Sequence, residues 1–439
     1  MRDILVIAMV AVGVVAALRS PWIGVLLWSW ISIMNPHRYT WGFAYDAPVA
    51  AVAAGVTLLG LLYARDKSSP IKGPPMVWLA LFVAWITISW LMGLDPAGDY
   101  EQWKKVMKIL LMVFVGMALL HSKLHIIAFA WVVTGSMAVV GIKGGLFTLL
   151  TGGGHHVFGP AGSFIQENNS LALALVMTIP LVRFLQLQLA PGWRRHAMTA
   201  VMVLCGASAL GSQSRGALLA LGAMLLVLWW RSRSRIVGGM GLLLISMLLV
   251  SFMPDTWSDR MDTIRTYEDD RSAMGRIAAW TVAWRLAFDY PFGVGFEAAR
   301  AELFARYWSG MDVGTPAAHS IYFQVLGHHG FIGLALYLGL WISTWMAAAR
   351  IRREALAQGE QAQWCADLMG MCQVSIAGFA VGGAFLSLSY FDLPYNVMML
   401  VVLTGAWLRR RAWETEPAYV GGRFKLPGMT LPPLKGKGA

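Results

Sequence analysis

Long apolar runs recur from Ile4 to Leu408, separated by short polar stretches, and many approach the roughly twenty residues that one helix needs to cross a bilayer. They are too long and too uniformly apolar for the roughly ten-residue alternation of a membrane barrel, so the backbone must satisfy its own hydrogen bonds as helix. The pattern predicts runs at 4–34, 47–64, 76–93, 105–120, 125–150, 170–188, 197–211, 216–230, 237–253, 320–349, 366–388 and 395–409. The expected fold is an all-α polytopic membrane protein with about 12 transmembrane helices. Arg19 and Pro21 interrupt the first run. As one broken crossing it gives twelve spans with both termini on one side; as a hairpin turning at Arg19 it gives thirteen, and twelve is the expectation.

Basic residues gather in every second loop: Arg65/Lys67/Lys72, Lys123, Arg194/Arg195, Arg231/Arg233/Arg235, Arg350/Arg352/Arg353 and Arg409/Arg410/Arg411. By the positive-inside rule those loops are cytoplasmic. Loops 35–46, 94–104, 151–169, 212–215, 254–318 and 389–394 then face the opposite side. The long loop 254–318 contains no Lys and far exceeds an ordinary connection. Ile277, Trp280/Thr281, Trp284 and Phe288 recur at helical spacing within it, so 274–289 is expected to form an amphipathic helix resting on the membrane or the bundle. The chain is thus expected to divide into N-terminal transmembrane helices at 1–253, an outer cap loop at 254–318, C-terminal transmembrane helices at 319–410 and a basic, disordered cytoplasmic tail at 411–439.

Composition sharpens this picture. Charged residues make up 13% of the chain against about 25% in soluble globular proteins, which excludes a soluble enzyme. The net charge of +12 sits in short inter-span clusters, so topology explains it without a nucleic-acid partner. Cys205, Cys365 and Cys372 lie in or beside apolar runs and are expected as free thiols. No small-residue cleavage site follows the first apolar run, so a cleaved leader is not expected.

Charged or strongly polar residues at the outer ends of the runs are costly there and are the first candidates for chemistry. Gly211-Ser212-Gln213-Ser214-Arg215-Gly216-Ala217 is a very short outer turn with Arg215 at a helix start. Arg215 is either a snorkelling anchor or, beside helix N-terminal N–H groups, a phosphate ligand. In Gly275-Arg276-Ile277-Ala278-Ala279-Trp280, Arg276 lies off the apolar stripe, either as a solvated charge or as a second anion ligand; Pro291-Phe292-Gly293-Val294-Gly295 then ends the helix and turns the chain back over the bundle. His319, in Ala318-His319-Ser320-Ile321-Tyr322, stands where the loop enters a long span, either as a polar cap or as a base for a hydroxyl proton. Gly327, Gly330 and Gly333 give the following helix a smooth packing face. His328 and His329 do not have zinc-motif spacing to His319, and no metal site is expected. Gln213, Asn168, Asn169, Tyr322 and Asp392 complete the candidates, as orienting or sugar-binding groups or as ordinary turn and N-cap residues.

The order Arg-Gly-Ala at a helix start, Gly-Arg-x-x-x-Trp and Pro-Phe-Gly-Val-Gly in a long loop, then His-Ser-x-Tyr-x-x-x-Leu-Gly-x-x-Gly-x-x-Gly, resembles the O-antigen ligase/polymerase superfamily over roughly 160–405. The N-terminal part, including Ser32-Ile33-Met34-Asn35-Pro36-His37-Arg38, resembles the extra region of a subgroup labelled O-glycosylation ligases. The resemblance implies a GT-C-like glycosyltransferase of the bacterial inner membrane, active at the periplasmic face. It implies an undecaprenyl-diphosphate-linked glycan as donor, a lipid A-core acceptor for a ligase, membrane lipids around it and no cofactor. A polymerase would extend another lipid-linked glycan, and a protein-glycosylating member would use a Ser or Thr side chain. Carried over by position, Arg215 and Arg276 would bind the diphosphate, His319 would act on the acceptor hydroxyl, and Asp392 matches an acidic residue of the last outer loop loosely. Paired guanidinium groups can stabilise a departing diphosphate without a metal, and His319 can remove the attacking proton in an inverting displacement. A transporter or lipid flippase is the rival from a different class; it would rely on intramembrane polar residues and need no large outer cap.

Overall fold

The computed structural model describes residues 1–231, 235–251, 271–310 and 312–416. Arg233, the segment 252–270 with Arg260 and Arg265, and the tail from 417 onward lie outside the described residues. The chain is all-helical, 76% helix, with no strand among the described residues. Helices α1 (Arg2–Arg19), α2 (Pro21–Met34), α3 (Val49–Tyr63), α4 (Pro74–Leu91) and α5 (Tyr100–Leu119) form the N-terminal part. They are followed by α6 (Lys123–Leu150), α7 (Asn168–Leu187), α8 (Trp193–Gly211), α9 (Arg215–Arg231) and α10 (Arg235–Ser251). The cap supplies α11 (Arg271–Asp289) and α12 (Ala301–Tyr307), and α13 (Ile321–Ala357), α14 (Gln363–Gly382) and α15 (Asp392–Arg409) close the bundle. Among the described residues, five helical segments, α4, α6, α7, α13 and α14 with its short 3-10 flanks, are long and apolar enough to cross a membrane. Shorter apolar helices coincide with α2, α3 and most of α9.

The helix starts follow local chemistry. Pro stands at the first positions of α2 and α4, where its missing N–H costs nothing, and Ser122 and Ser320 cap α6 and α13 by accepting from the N–H groups of His125 and Phe323. The expected single crossing over 4–34 is corrected: α1 and α2 form a hairpin that turns at Ser20. A Cβ on Gly13 would touch Leu27, and Asp3 at the start of α1 accepts the N–H groups of Gly42 and Ala44 just beyond α2. Pro at the start of α2 and extended backbone at Ser20 break the helix there, in favour of the thirteen-run alternative.

The two sets of loops gather at opposite ends of the bundle. At the basic end Lys72 donates to the carbonyl of Leu120, Arg409 to that of Lys72 and Arg410 to that of His121. At the other end Leu94 bonds Val294, Asn168 bonds Ser212, and Gly216 meets Phe385. One continuous core runs between them, with α7, α14 and α15 almost wholly buried around Phe184, Phe379, Tyr395 and Trp407. All three cysteines are free and buried.

Candidate active site at the loop end of the bundle

The predicted amphipathic helix exists as α11. The small residues Ala278, Ala279, Val282 and Ala283 are buried, whereas Ile277, Trp284 and Phe288 are exposed. Small side chains let α11 come close to α13, where a Cβ on Gly327 would lie 3.1 Å from that of Ala283. Trp284 and Phe288 instead form an exposed aromatic ledge with Phe331, centroids 5.0–5.5 Å apart. That ledge suits the membrane-resting half of the prediction.

The Pro291–Gly295 turn locks this cap onto the bundle. The long helix α13 breaks at Gly330, whose φ of 67° and ψ of −171° only glycine adopts readily. The break leaves the carbonyl of His328 open, and the N–H groups of Val294 and Gly295 both donate to it at 3.0 and 3.1 Å. Gly330 thus does more than smooth a helix face: it makes the notch that the turn fills. Beneath the notch His328 and His329 both bond the hydroxyl of Tyr390, at 3.1 and 2.7 Å, and His329 also bonds Ser89 at 2.8 Å. These histidines serve packing, which two adjacent imidazoles in an apolar run did not reveal.

The cap in turn places Arg276. The indole of Trp280 donates to the carbonyl of Ala318 at 2.7 Å and stacks on Phe323 at 5.0 Å. Arg276 sits one turn earlier on the same face, and the adjacent Gly275 packs against Pro316. His319 follows Ala318 directly, in a left-handed conformation at φ 42° that is uncommon for a residue other than glycine. Its N–H donates to Ser387 Oγ at 2.9 Å. Burial pushes the half-buried imidazole below its ordinary pKa of 6.5, Arg276 pushes it the same way, and Glu167 opposes them. Arg276 and Glu167 therefore both lie within electrostatic reach of His319.

Arg215 opens α9 behind a rigid turn. Ser214 caps the helix by accepting from Ala217, Gln213 at φ 55° donates to the carbonyl of Gly153 at 3.2 Å, and Asn168 donates to the carbonyl of Ser212 at 2.7 Å. Gly216 abuts Phe385, two residues before the Ser387 that holds His319. The segment 383–389 thus joins the Arg215 turn to the His319 loop. Asn169 lies beside Asn168 in the first turn of α7. Two candidates point elsewhere. Tyr322 donates to the carbonyl of Ala380 on α14 at 2.8 Å, a packing role. Asp392 accepts from Ser32 on α2 and has Lys105 nearby, at the seam between α2, α5 and α15.

A cavity of about 500 Å³ opens beside His319, lined by Ala318, Ser387, Gln324 and Phe323 on one side and by Asp95, Asp99, Gln102, Glu297 and Arg300 on the other. Asp99 is central: its carboxylate accepts from the N–H of Phe296 at 2.7 Å and from Arg300 at 3.1 Å. Burial raises its pKa, and those two partners oppose the rise. Sequence reasoning missed Ser387, Glu167, Asp99 and Arg300, because each is a single polar residue in a loop whose partner lies far along the chain.

Residues 1–189 match a family of unknown function, DUF5935, and residues 200–338 match the O-Antigen ligase family. No curated protein matches the chain. The second stretch contains Arg215, Arg276, His319 and the Gly327–Gly333 series, and it stops before Asp392. Residues 200–338, which carry the turn, the cap and the histidine at its edge, are thus similar to the O-antigen ligase superfamily.

Proposed function

We propose that this multi-pass protein is a periplasm-facing glycosyltransferase of the bacterial inner membrane, an O-antigen ligase that moves a glycan from undecaprenyl diphosphate to lipid A-core oligosaccharide. The carrying observation is the placement of Arg276 beside His319 on a loop bonded to Ser387, with the Arg215 turn against the same 383–389 segment. His319 takes the proton of the acceptor hydroxyl, whose oxygen attacks the anomeric carbon. The bond from that carbon to the diphosphate oxygen breaks with inversion, and undecaprenyl diphosphate departs with the electron pair. Arg215 and Arg276 stabilise the charge developing on the leaving oxygens, where loss of one preorganised donor costs about 10²–10³ in rate. Held below 6.5, His319 is the neutral base at physiological pH. Asn168 and Gln213 position the Arg215 turn through the carbonyls of Ser212 and Gly153. About twelve or thirteen spans with the basic loops inside the cell would put this end of the bundle in the periplasm.

The test is purified protein with undecaprenyl-diphosphate glycan and, in separate reactions, lipid A-core, a second lipid-linked glycan or a pilin-type protein. Growth of lipid A-core confirms the ligase reading; growth of either other acceptor alone reassigns the protein to polymerase or protein O-oligosaccharyltransferase. Movement of the donor across a liposome with no new glycosidic bond would make it a transporter. Because the arginines supply the charge stabilisation, transfer is expected to persist in excess EDTA; loss reversed by Mg²⁺ or Mn²⁺ would refute that.

A further inference from the structure

The cavity beside His319 has a chemical character that the reaction itself does not require. Three of its lining residues are carboxylates, Asp95, Asp99 and Glu297, and Arg300 is the lining guanidinium. Arg300 is already engaged by Asp99 at 3.1 Å and Asp95 at 3.6 Å, so its charge is largely spent inside the wall. Asp95 accepts from the N–H of Gly98 and Glu297 from that of Ala299, yet Asp95 keeps about half of its side chain exposed and Glu297 is exposed, so both carboxylates present lone pairs to a ligand. Gln102 and Gln324 add amide groups, and Phe296 and Phe323 add apolar faces on which the C–H side of a sugar ring can rest. Arg215 and Arg276 are not among the described lining residues, whereas Ala318 and Ser387, the neighbours that fix His319, are. A sugar seated here lies against the two residues that flank and hold His319.

We infer that this cavity binds the terminal sugars of the acceptor, and that Asp95, Asp99 and Glu297 make it select neutral or amino sugars over phosphorylated or uronic-acid sugars. A phosphate brought among carboxylates whose one lining guanidinium is already paired meets like charge, whereas a hydroxyl or ammonium donates to them. The inference rests on the glycosyltransferase reading for the word acceptor, and on the cavity alone for the chemistry of the ligand.

The test uses the full-length protein in detergent with lactose, its 2-amino-2-deoxy analogue and lactose 6′-phosphate, titrated by saturation-transfer NMR. Lactose and the amino sugar are expected to bind about tenfold or more tighter than the phosphate ester, the scale of one unfavourable charge contact. Glu297→Lys, a change at an exposed position, should narrow or reverse that gap, and Asp95→Asn should narrow it further. Failure of all three sugars to bind, or equal binding of lactose and its phosphate, overturns the inference. In the transfer assay the same variants should move the acceptor KM according to acceptor charge; a change confined to the donor KM would hand the cavity to the donor glycan and refute the proposal. Binding in the expected order by a protein that forms no glycosidic bond would keep the inference and sink the enzymatic reading, so the two fail separately.

Discussion

Replacing Gly293 by alanine tests whether the cap is truly locked to the bundle. The glycine has φ +84°, where an L side chain is strained by about 1–3 kcal/mol. The added Cβ would press into the carbonyl oxygen of His328 and lie 2.5 Å from the Cα of His329 and 2.7 Å from Ser89 Oγ. Two of these neighbours are backbone in the notch of α13, so they cannot swing away, and the turn must lift. Lifting it lengthens the bonds from Val294 and Gly295 to the His328 carbonyl, each worth about 0.5–1.5 kcal/mol. The sum is about 2–6 kcal/mol, placing Gly293→Ala among severe single substitutions. The assay is reversible unfolding in mixed micelles by SDS titration, run beside glycan transfer at a temperature where the variant stays folded. Transfer should fall as well, because the turn leads directly out of the helix that carries Arg276 to His319. Gly135→Ala is the control: a Cβ there meets nothing within 4 Å, and a helical alanine is favoured over glycine by up to about 1 kcal/mol. If Gly293→Ala unfolds and transfers like the native protein, the notch does not hold the cap and the reasoning fails.

Other consequences are equally concrete. Glu167 raises the pKa of His319 and Arg276 lowers it, so Glu167→Gln should move the acid limb of the pH–rate profile to lower pH and Arg276→Gln should move the residual rate's limb to higher pH. Unmoved limbs in both would show that His319 is not the titrating base. A double-mutant cycle of Asp99→Asn with Arg300→Gln should return a coupling of about 1–3 kcal/mol in stability, since Asp99 is 4% exposed and Arg300 21%; zero coupling would mean the pair is not formed. Asp392→Asn should keep most of the transfer rate, while Ser32→Ala should cost about 1–3 kcal/mol in stability by stripping a hydrogen bond from a buried carboxylate. Complete loss of transfer in Asp392→Asn with the fold intact would return Asp392 to the chemistry.

Much of the architecture was legible because a bilayer leaves the backbone few alternatives: a long run of apolar residues is satisfied as helix. Hence the runs from 47 to 409 reappear as α3 to α10 and α13 to α15 with ends shifted by a few residues. The first run was misjudged because Pro21 can kink a helix or start a new one, and only the contact of Asp3 with the 42–44 backbone decides between them. The periodicity of 277, 280, 284 and 288 located α11 but left open whether its aromatic stripe rests on the membrane or the bundle, since large aromatic residues suit either surface; Trp284 and Phe288 stand exposed. Arg215, Arg276 and His319 stood out because charge beside apolar spans is costly. Ser387, Asp99 and Arg300 did not, because a lone serine or ion-pair member has no local pattern and its meaning comes from a partner about 70 to 200 residues away. The Ser32 partner of Asp392 was equally hidden, because it lies on α2, far along the chain.

The most direct test of the central claim is single-turnover release of undecaprenyl diphosphate, counted against new glycosidic bonds, for the native protein and for His319→Ala, Arg215→Ala and Arg276→Ala variants that unfold like it. One release per bond in the native protein, with both lost together in His319→Ala and slowed by about 10²–10³ in each arginine variant, is what the site predicts. Native-rate release and transfer in the His319→Ala protein would contradict it.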